Sequence, residues 1–200
     1  MKLFYSPTSP YVRKVMACAI IRGIDQQITK ISSNPHESPA NLLAANPLSK
    51  VPCLITVDGL ALFDSPVICE FLDSIGDAPP LFPRAGGARW LALKQQAIGD
   101  GVLEAAIVRR MEQRRAADAA HDAVVARQQA AIGRALDALE RDLPQKTPNI
   151  GAVAVACALG YLDLRFADDA WREGRPQLAG WFAEIMETPG LARTAPADPA

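Results

Sequence analysis

Three short segments in the first 66 residues have the right types and spacing for chemistry. Ser9-Pro10 is the first. A proline at the first helical position makes Ser9 the N-cap of a helix over 10–22. The first backbone N–H groups of a helix have no helical partner, and with the helix dipole they form an anion site. A thiolate held there would gain both the Ser9 hydroxyl and the helix end. Thiol pKa values fall from about 8.5 to roughly 3.5–7.5 in such settings. A two-unit drop is worth about 2.7 kcal/mol. The plainer alternative is that Ser9 only caps its helix, and on this dipeptide alone it is the simpler reading.

Lys50-Val51-Pro52 is the second segment, leading into a strand over 53–57. Proline is tolerated at the first position of a strand. A cis Val51-Pro52 bond would present the Val51 N–H and C=O to an extended, peptide-like ligand, as an added strand would. Only about 5–6% of X-Pro bonds are cis, so this segment alone favours an ordinary turn. The third segment, Asp64-Ser65-Pro66, repeats the Ser-Pro helix start, with Ser65 as N-cap and Pro66 at N1. Ser65 could bind a carboxylate at the helix end, and Asp64 an ammonium group. An α-amino acid head carries both charges, although an ordinary cap would look the same.

The surrounding elements decide whether these segments can meet. Residues 2–5 read as a strand. The helix over 10–22 places Val12, Val15, Met16, Ala19 and Ile20 on one face, and Gly23 is positioned to end it. Residues 27–31 read as a second strand, and 40–45 as a short helix in a polar stretch. Residues 53–57 and 60–63 flank Asp58-Gly59, a hairpin signal in which Asp-Gly supplies positive-φ turn positions. Residues 65–75 read as a helix. The order β-α-β-(α)-β-β-α begins with a parallel pair joined by a right-handed crossover. In a small sheet of this order, the two helix starts and the Val-Pro bend can converge on one edge.

A proline-rich stretch, DAPPLFPR (77–84), reads as a linker, and after it the strand signal disappears. Residues 86–115 carry a helical stripe of Trp90, Leu93, Ala97, Ile98, Gly101, Val102 and Ala105. Residues 118–143 carry a weaker, alanine-rich one. Residues 150–166 are apolar nearly all round, as suits the centre of a bundle. Residues 176–186 give a last short helix, and Pro189, Pro196 and Pro199 suggest an irregular tail. The domains are therefore expected at 1–78 and 86–200, joined by 79–85: a small α/β domain, then an all-helical one.

Bulk properties narrow the functional classes. Half of the 200 residues are hydrophobic, enough to bury a sizeable core. Lys plus Arg number 21 against 22 Asp plus Glu, so the basic excess of a nucleic-acid binder is absent. Cys18, Cys53, Cys69 and Cys157 form no CxxC pair and have only His36 and His121 for company, so no metal site is expected. The four cysteines are expected to be structural. The N-terminal apolar run is too short for a signal peptide, and no run approaches the ~18 residues of a membrane span. A cytoplasmic protein with reduced thiols is the expectation.

SPTSPYVRKV, NPLSKVPCL and LFDSPVICEFL, in that order, resemble the N-terminal domain of cytosolic glutathione S-transferases. The resemblance is to serine-type classes (tau, zeta, theta-like) and small bacterial members. It covers residues 1–76 strongly. The helical half is compatible with it but less distinctive. The resemblance implies a thioredoxin-like domain with cis-Pro52, and glutathione as co-substrate with no metal. It implies that Val51 bonds the cysteinyl part and that Asp64 and Ser65 hold the γ-glutamyl head. It directs Lys50 toward the glycyl carboxylate, with Asn46 and His36 as further candidates. Ser9 would carry the catalytic hydrogen bond to the sulfur, with Tyr5, Ser6 and Thr8 as rivals. Ser9 is preferred because its helix-start position offers two sources of anion stabilisation.

The chain departs from the family pattern in two places. Glutaredoxin-like and omega-like relatives have a cysteine where Ser9 stands, so a mixed disulfide with glutathione cannot form at this turn. The family's Ser/Thr-x-x-Asp start of the central helix is here Asn149-Ile150-Gly151-Ala152, a cap without its acidic partner. In the family the acceptor substrate lies against the first long helix, which makes Asp100, Leu103, Ile107 and Arg110 the candidates. Tyr161 and Trp171 could close that pocket, although core packing is the default for both. The run 109–115, RRMEQRR, reads as a solvated helix face, with an acidic acceptor or a dimer salt bridge as sharper alternatives. The resemblance implies a homodimer that attacks a small electrophile with the glutathione thiol. Alternatives are a glutathione-dependent peroxidase or isomerase, or a non-catalytic relative that binds a protein partner.

Overall fold

The computed structural model describes residues 1–116 and 118–196. Two compact units emerge among the described residues: Met1–Arg84 together with those from Pro189 to Pro196, and Ala85–Thr188. The first is a thioredoxin-like α/β unit and the second is helical.

The first unit is built on a four-stranded sheet of order β2-β1-β3-β4, with β1 at Lys2–Tyr5, β2 at Thr29–Ser32, β3 at Cys53–Ile55 and β4 at Ala61–Leu62. β1 and β2 are parallel, and the other two pairings are antiparallel. The crossover helix α1 spans Pro10–Ile21, and Gly23 beyond its end takes a left-handed φ of 72°. The second strand starts two residues later than its apolar pattern suggests, because Asp25–Gln27 form a 3-10 turn first. Leu3 and Leu54 are paired in register and fully buried. Phe4 and Cys53 pack instead with Leu42 of α2 (Ala40–Ala45). Successive residues of β1 thus bury opposite faces, as a strand's period of two requires.

The β3–β4 hairpin corrects the sequence reading in one detail. Only Gly59 of the Asp-Gly pair has positive φ, at 88°. Thr56 N–H donates to Leu60 O at 2.9 Å, which closes a three-residue loop with glycine at its left-handed position. Helix α3, Ser65–Ile75, has the expected bounds but a different cap: its N-cap is Asp64, and the Asp64 carbonyl accepts from Ile68 N–H at 3.0 Å. Ser65 is therefore its first helical residue and Pro66 its second.

The proline-rich stretch is tied to this unit. Leu81 and Phe82 are buried, and their N–H groups donate to the Asp73 carboxylate at 2.7 and 3.1 Å. The tail differs from expectation too. Pro189–Ala192 form a short helix, α8, that packs on α1. The contact runs through Gly190, where a Cβ would come within 2.6 Å of Ala17 O. Proline at a first turn starts a helix, and glycine lets it approach closely. Pro199 lies outside the described residues.

The second unit contains α4 (Gly86–Glu112), α5 (Ala119–Arg141), α6 (Ile150–Arg165) and α7 (Pro176–Ile185). Helix α6 is buried from Ile150 to Leu162, as its all-round apolar sequence predicts. Asn149 Oδ1 accepts from Ala152 N–H at 2.9 Å, so the cap forms without an acidic partner. Its amide donates to Gln145 Oε1 at 3.2 Å, which fixes the capping rotamer.

The predicted stripe of α4 is only partly the buried one. Trp90 is 68% exposed, while Ala92, Gln95, Gln96, Gly99, Leu103, Ala106 and Arg109 join Val102 and Ala105 inside. The reason is the closeness of α6. A Cβ on Gly99 would lie 2.7 Å from the Ala154 backbone, and one on Gly151 would lie 2.6 Å from Ala92 O. At that separation small side chains fill the seam and large ones are turned out. Among the described residues no helix is long and apolar enough to cross a membrane.

Candidate functional site

The sheet register brings the three chemical segments to one edge. Phe4 pairs with Cys53, and Leu54 with Leu62. Extending the first ladder by one antiparallel step and the second by two sets Tyr5, Pro52 and Asp64 in a row. The turn leaving β1, the bend entering β3 and the start of α3 therefore share an edge. The convergence expected from element order follows from register.

Ser9 sits four residues beyond that row. A tight turn, with Ser9 N–H donating to Ser6 O at 3.1 Å, brings the chain round into α1. Its side-chain oxygen accepts from Val12 N–H at 3.3 Å, so Ser9 is the N-cap. A hydroxyl that accepts one bond retains its own hydrogen for donation. The cap and the anion role are therefore compatible: Val12 orients the oxygen, and the O–H remains to donate to a half-exposed site. Of the rivals, Ser6 and Thr8 are half-buried in the same turn. Tyr5 is half-buried at the strand end, with Lys30 Nζ 5.9 Å from its ring centroid.

The Val51-Pro52 peptide bond is cis. Pro52 is buried, Val51 half-buried and Lys50 exposed. Sequence reasoning missed what shapes this loop. Asn46 is 1% exposed and spends both ends of its amide on the loop. Its Nδ2 donates to Lys50 O at 2.9 Å, and its Oδ1 accepts from Leu48 N–H at 3.0 Å. It is thus a positioning residue, committed to the chain and turned away from the ligand role suggested for it. Ser49 takes a left-handed φ of 50°, uncommon for a residue with a side chain. Its hydroxyl donates to Pro35 O at 3.1 Å, anchoring the loop to a neighbouring 3-10 turn. The Asn-Pro dipeptide at 46–47 was the available signal, since it marks a turn.

Asp64 is exposed and Ser65 is 2% exposed. Phe63-Asp64 is also a cis peptide bond. Because Ser65 opens α3, its N–H belongs to the first turn, whose donors lack helical partners. His36 is exposed, with its backbone N–H held by Asn34 Oδ1 at 3.2 Å. Cys53, next to Pro52, is buried, and burial pushes its thiol pKa up, away from reactivity. Cys18, Cys69 and Cys157 are buried as well.

The remaining candidates lie in the second unit. Asp100 and Ile107 are half-buried on α4, and Leu103 is fully buried. Trp171 is buried, stacks edge-on to Phe182 at 5.9 Å and donates to Asp163 Oδ1 at 2.7 Å. The run 109–115 is not uniformly a solvated face. Arg109 is buried, forks onto the Asp169 carboxylate and lies 4.2 Å over the Phe166 ring. Among the described residues, no group of three or more His, Cys, Asp or Glu side chains could hold a metal ion.

Comparison with known proteins gives a consistent picture. Residues 8–75 match the glutathione S-transferase N-terminal domain, and residues 122–184 match the C-terminal domain. The chain is 35% identical over 201 residues to the GST-like protein YibF of Escherichia coli, with 98% of each covered. A glutathione transferase family member from Pseudomonas fluorescens, solved with bound glutathione, is 39% identical with a TM-score of 0.91, covering 98% of both chains. A second structure from that organism, with bound S-(propanoic acid)-glutathione, is 38% identical with a TM-score of 0.87. It covers 98% of this chain and 100% of that one.

Proposed function

The chain belongs to the glutathione S-transferase family, and we propose that it is a glutathione transferase whose Ser9 stabilises the glutathione thiolate. In this reading Val51 bonds the cysteinyl backbone and Asp64 with Ser65 holds the γ-glutamyl head. Lys50 meets the glycyl carboxylate. The sulfur then lies at the start of α1, where the Ser9 O–H and the helix end lower its pKa. The thiolate forms a bond to an electrophilic carbon of a small, largely apolar acceptor. The carbon's leaving group departs with the electron pair, or a proton adds to the neighbouring carbon. Holding the pre-formed thiolate in place supplies the rate.

The observation that carries this reading is the Ser9 side chain, oriented by Val12 N–H at 3.3 Å with its own hydrogen to give. Support comes from two structures of one relative, with glutathione bound in one and a glutathione thioether, the kind of product such a reaction makes, in the other. The absence of a cysteine at this turn favours conjugation over disulfide exchange. The reading includes a cytoplasmic homodimer. Exposed Val57, Leu60 and Val67 in the first unit and Trp90 in the second are apolar surface of the kind such an interface covers.

Ser9→Ala tests the assignment. Glutathione binding and the thiol pKa are measured by titration, with thermal melting alongside. The reading expects the bound-thiol pKa to rise by about one to two units and turnover to fall at least tenfold. Loss of the cap should cost about 0.5–2 kcal/mol. A stability loss with unchanged thiol pKa and turnover would reduce Ser9 to a cap.

A further inference from the structure

The chain contains two Asp-Gly pairs, and they sit in different backbones. Asp100-Gly101 lies inside α4. Asp58-Gly59 lies at the tip of the β3–β4 hairpin, where both residues are exposed. Such a pair is open to a reaction of the chain with itself. The Gly nitrogen attacks the Asp Cγ, and glycine has no Cβ to shield that nitrogen. An N–C bond forms, the Cγ–OH bond breaks, and the hydroxyl leaves with the amide proton as water. Water then adds to the α-carbonyl of the succinimide and breaks its bond to nitrogen. The product is an isoaspartate, whose main chain runs through the former side chain and is one CH2 longer.

Thr56 holds both reacting groups. Its carbonyl accepts from Gly59 N–H at 3.2 Å, which ties down the nucleophile. Its hydroxyl donates to Asp58 Oδ1, which ties down the electrophile. The same hydroxyl accepts from Leu60 N–H at 2.9 Å, which fixes its direction. Leu60 O lies 3.2 Å from that oxygen as well. A hydroxyl has a single hydrogen, and the charged carboxylate is the stronger acceptor. Thr56 is itself 6% exposed and so is anchored in the first unit. Its hydrogen bond is also the main reason that the Asp58 carboxyl pKa is lowered. Only the protonated acid loses its oxygen as water, so the reactive form is depleted. The ladder behind the tip has only two residue pairs, Leu54 with Leu62 and Ile55 with Ala61. The loop's own bonds therefore carry much of the task of keeping the tip closed.

We propose that Asp58-Gly59 is a latent isomerisation site and that Thr56 is the residue that keeps it closed. The tip lies at the other end of β3 and β4 from Pro52 and Asp64, so the site stands whether or not Ser9 has the role proposed above.

The test is storage of the full chain at neutral pH, with isoaspartate at 58 and at 100 followed by peptide chromatography and electron-transfer fragmentation. Position 58 should isomerise at least about tenfold more slowly in the folded chain than in urea, since the loop must open first. Thr56→Val keeps the branched shape and removes the hydroxyl. It should speed isomerisation at 58 about tenfold, as loss of a hydrogen bond to a charged group implies, and leave position 100 unchanged. Thr56→Ser keeps the hydroxyl and should stay slow. Equal rates at 58 in the folded chain and in urea would overturn the proposal. So would an unchanged rate at 58 in T56V, or equal acceleration at 58 and 100, which would mark general unfolding in place of a released loop.

Discussion

Arg22, at the C-cap of α1, meets Asp73 of α3 with Nε and Oδ1 3.1 Å apart, their side chains only 4% and 8% exposed. The pair joins three pieces of chain. Arg22 also donates to the backbone carbonyls of Asp73, at 3.0 Å, and of Gly76. Asp73 accepts from the N–H groups of Leu81 and Phe82. One ion pair therefore ties the crossover helix, the end of α3 and the proline-rich segment into one body.

Asp73→Leu should strip Arg22 of its counter-charge and release the 81–82 backbone. A buried charge left alone costs about 3–5 kcal/mol. The checks are the thermal midpoint and a denaturant titration. Replacing Arg22 and Asp73 together by Met and Leu should cost clearly less than the sum of the two single changes. Additive losses would show that the two residues do not act as a pair.

Asn46→Ala should act on ligand binding through the loop. It removes the bonds to Lys50 O and Leu48 N–H, at 2.9 and 3.0 Å, without touching the start of α1. KM for glutathione should rise about tenfold or more, as loss of one to two hydrogen bonds implies. Turnover at saturation should change little, because Ser9 is intact. A fall in kcat with unchanged KM would contradict the positioning role.

Two glycines in one helix should respond with opposite sign. Gly99→Ala drives a methyl to 2.7 Å from the Ala154 backbone and should destabilise by about 1–3 kcal/mol. Gly101→Ala meets nothing within 4 Å and should stabilise by about 0.5–1 kcal/mol through helix propensity. Paired melting curves test both. Equal effects would mean that the α4–α6 seam is looser than described.

The cap of α5 should make stability pH-dependent. Asp118 accepts from His121 N–H at 2.7 Å, and this bond holds its carboxyl pKa below the usual value. A depressed folded pKa gives stability that is present above the unfolded value, near 3.8, and is lost as pH falls through the folded one. The difference in melting temperature between the native chain and Asp118→Ala should therefore be full at pH 6 and shrink as pH drops through and below 3.8. A difference independent of pH would exclude the charged cap as its cause.

Much of the first unit could be read without coordinates, and the reasons are local. Strand 2–5 and helices 40–45 and 65–75 emerged with the boundaries read for them. Each is bounded by proline, glycine or a polar cap, and those signals act within a few residues. Ser9 as a cap followed from the proline beside it. Asn46 did not, because its partners are backbone groups whose placement depends on the loop itself. The buried face of α4 was misread for a different reason. Periodicity identifies an apolar stripe, but it cannot say that a neighbouring helix will come close enough to demand Gly99 and accept Gln95. The tail 189–192 looked irregular because its helix depends on a groove on α1 that lies far away in the chain.

The sequence by itself determined the order of elements, the two helix starts, the Val-Pro bend and the family to which they belong. Those depend on φ preferences, capping and hydrophobic period, which are set by adjacent residues. Tertiary structure alone decided that Tyr5, Pro52 and Asp64 share a row, that Arg22 finds Asp73, and that Arg109 finds Asp169. Each of these joins residues dozens of positions apart. Strand register and helix packing, which carry the distances, are selected by the burial of the whole core.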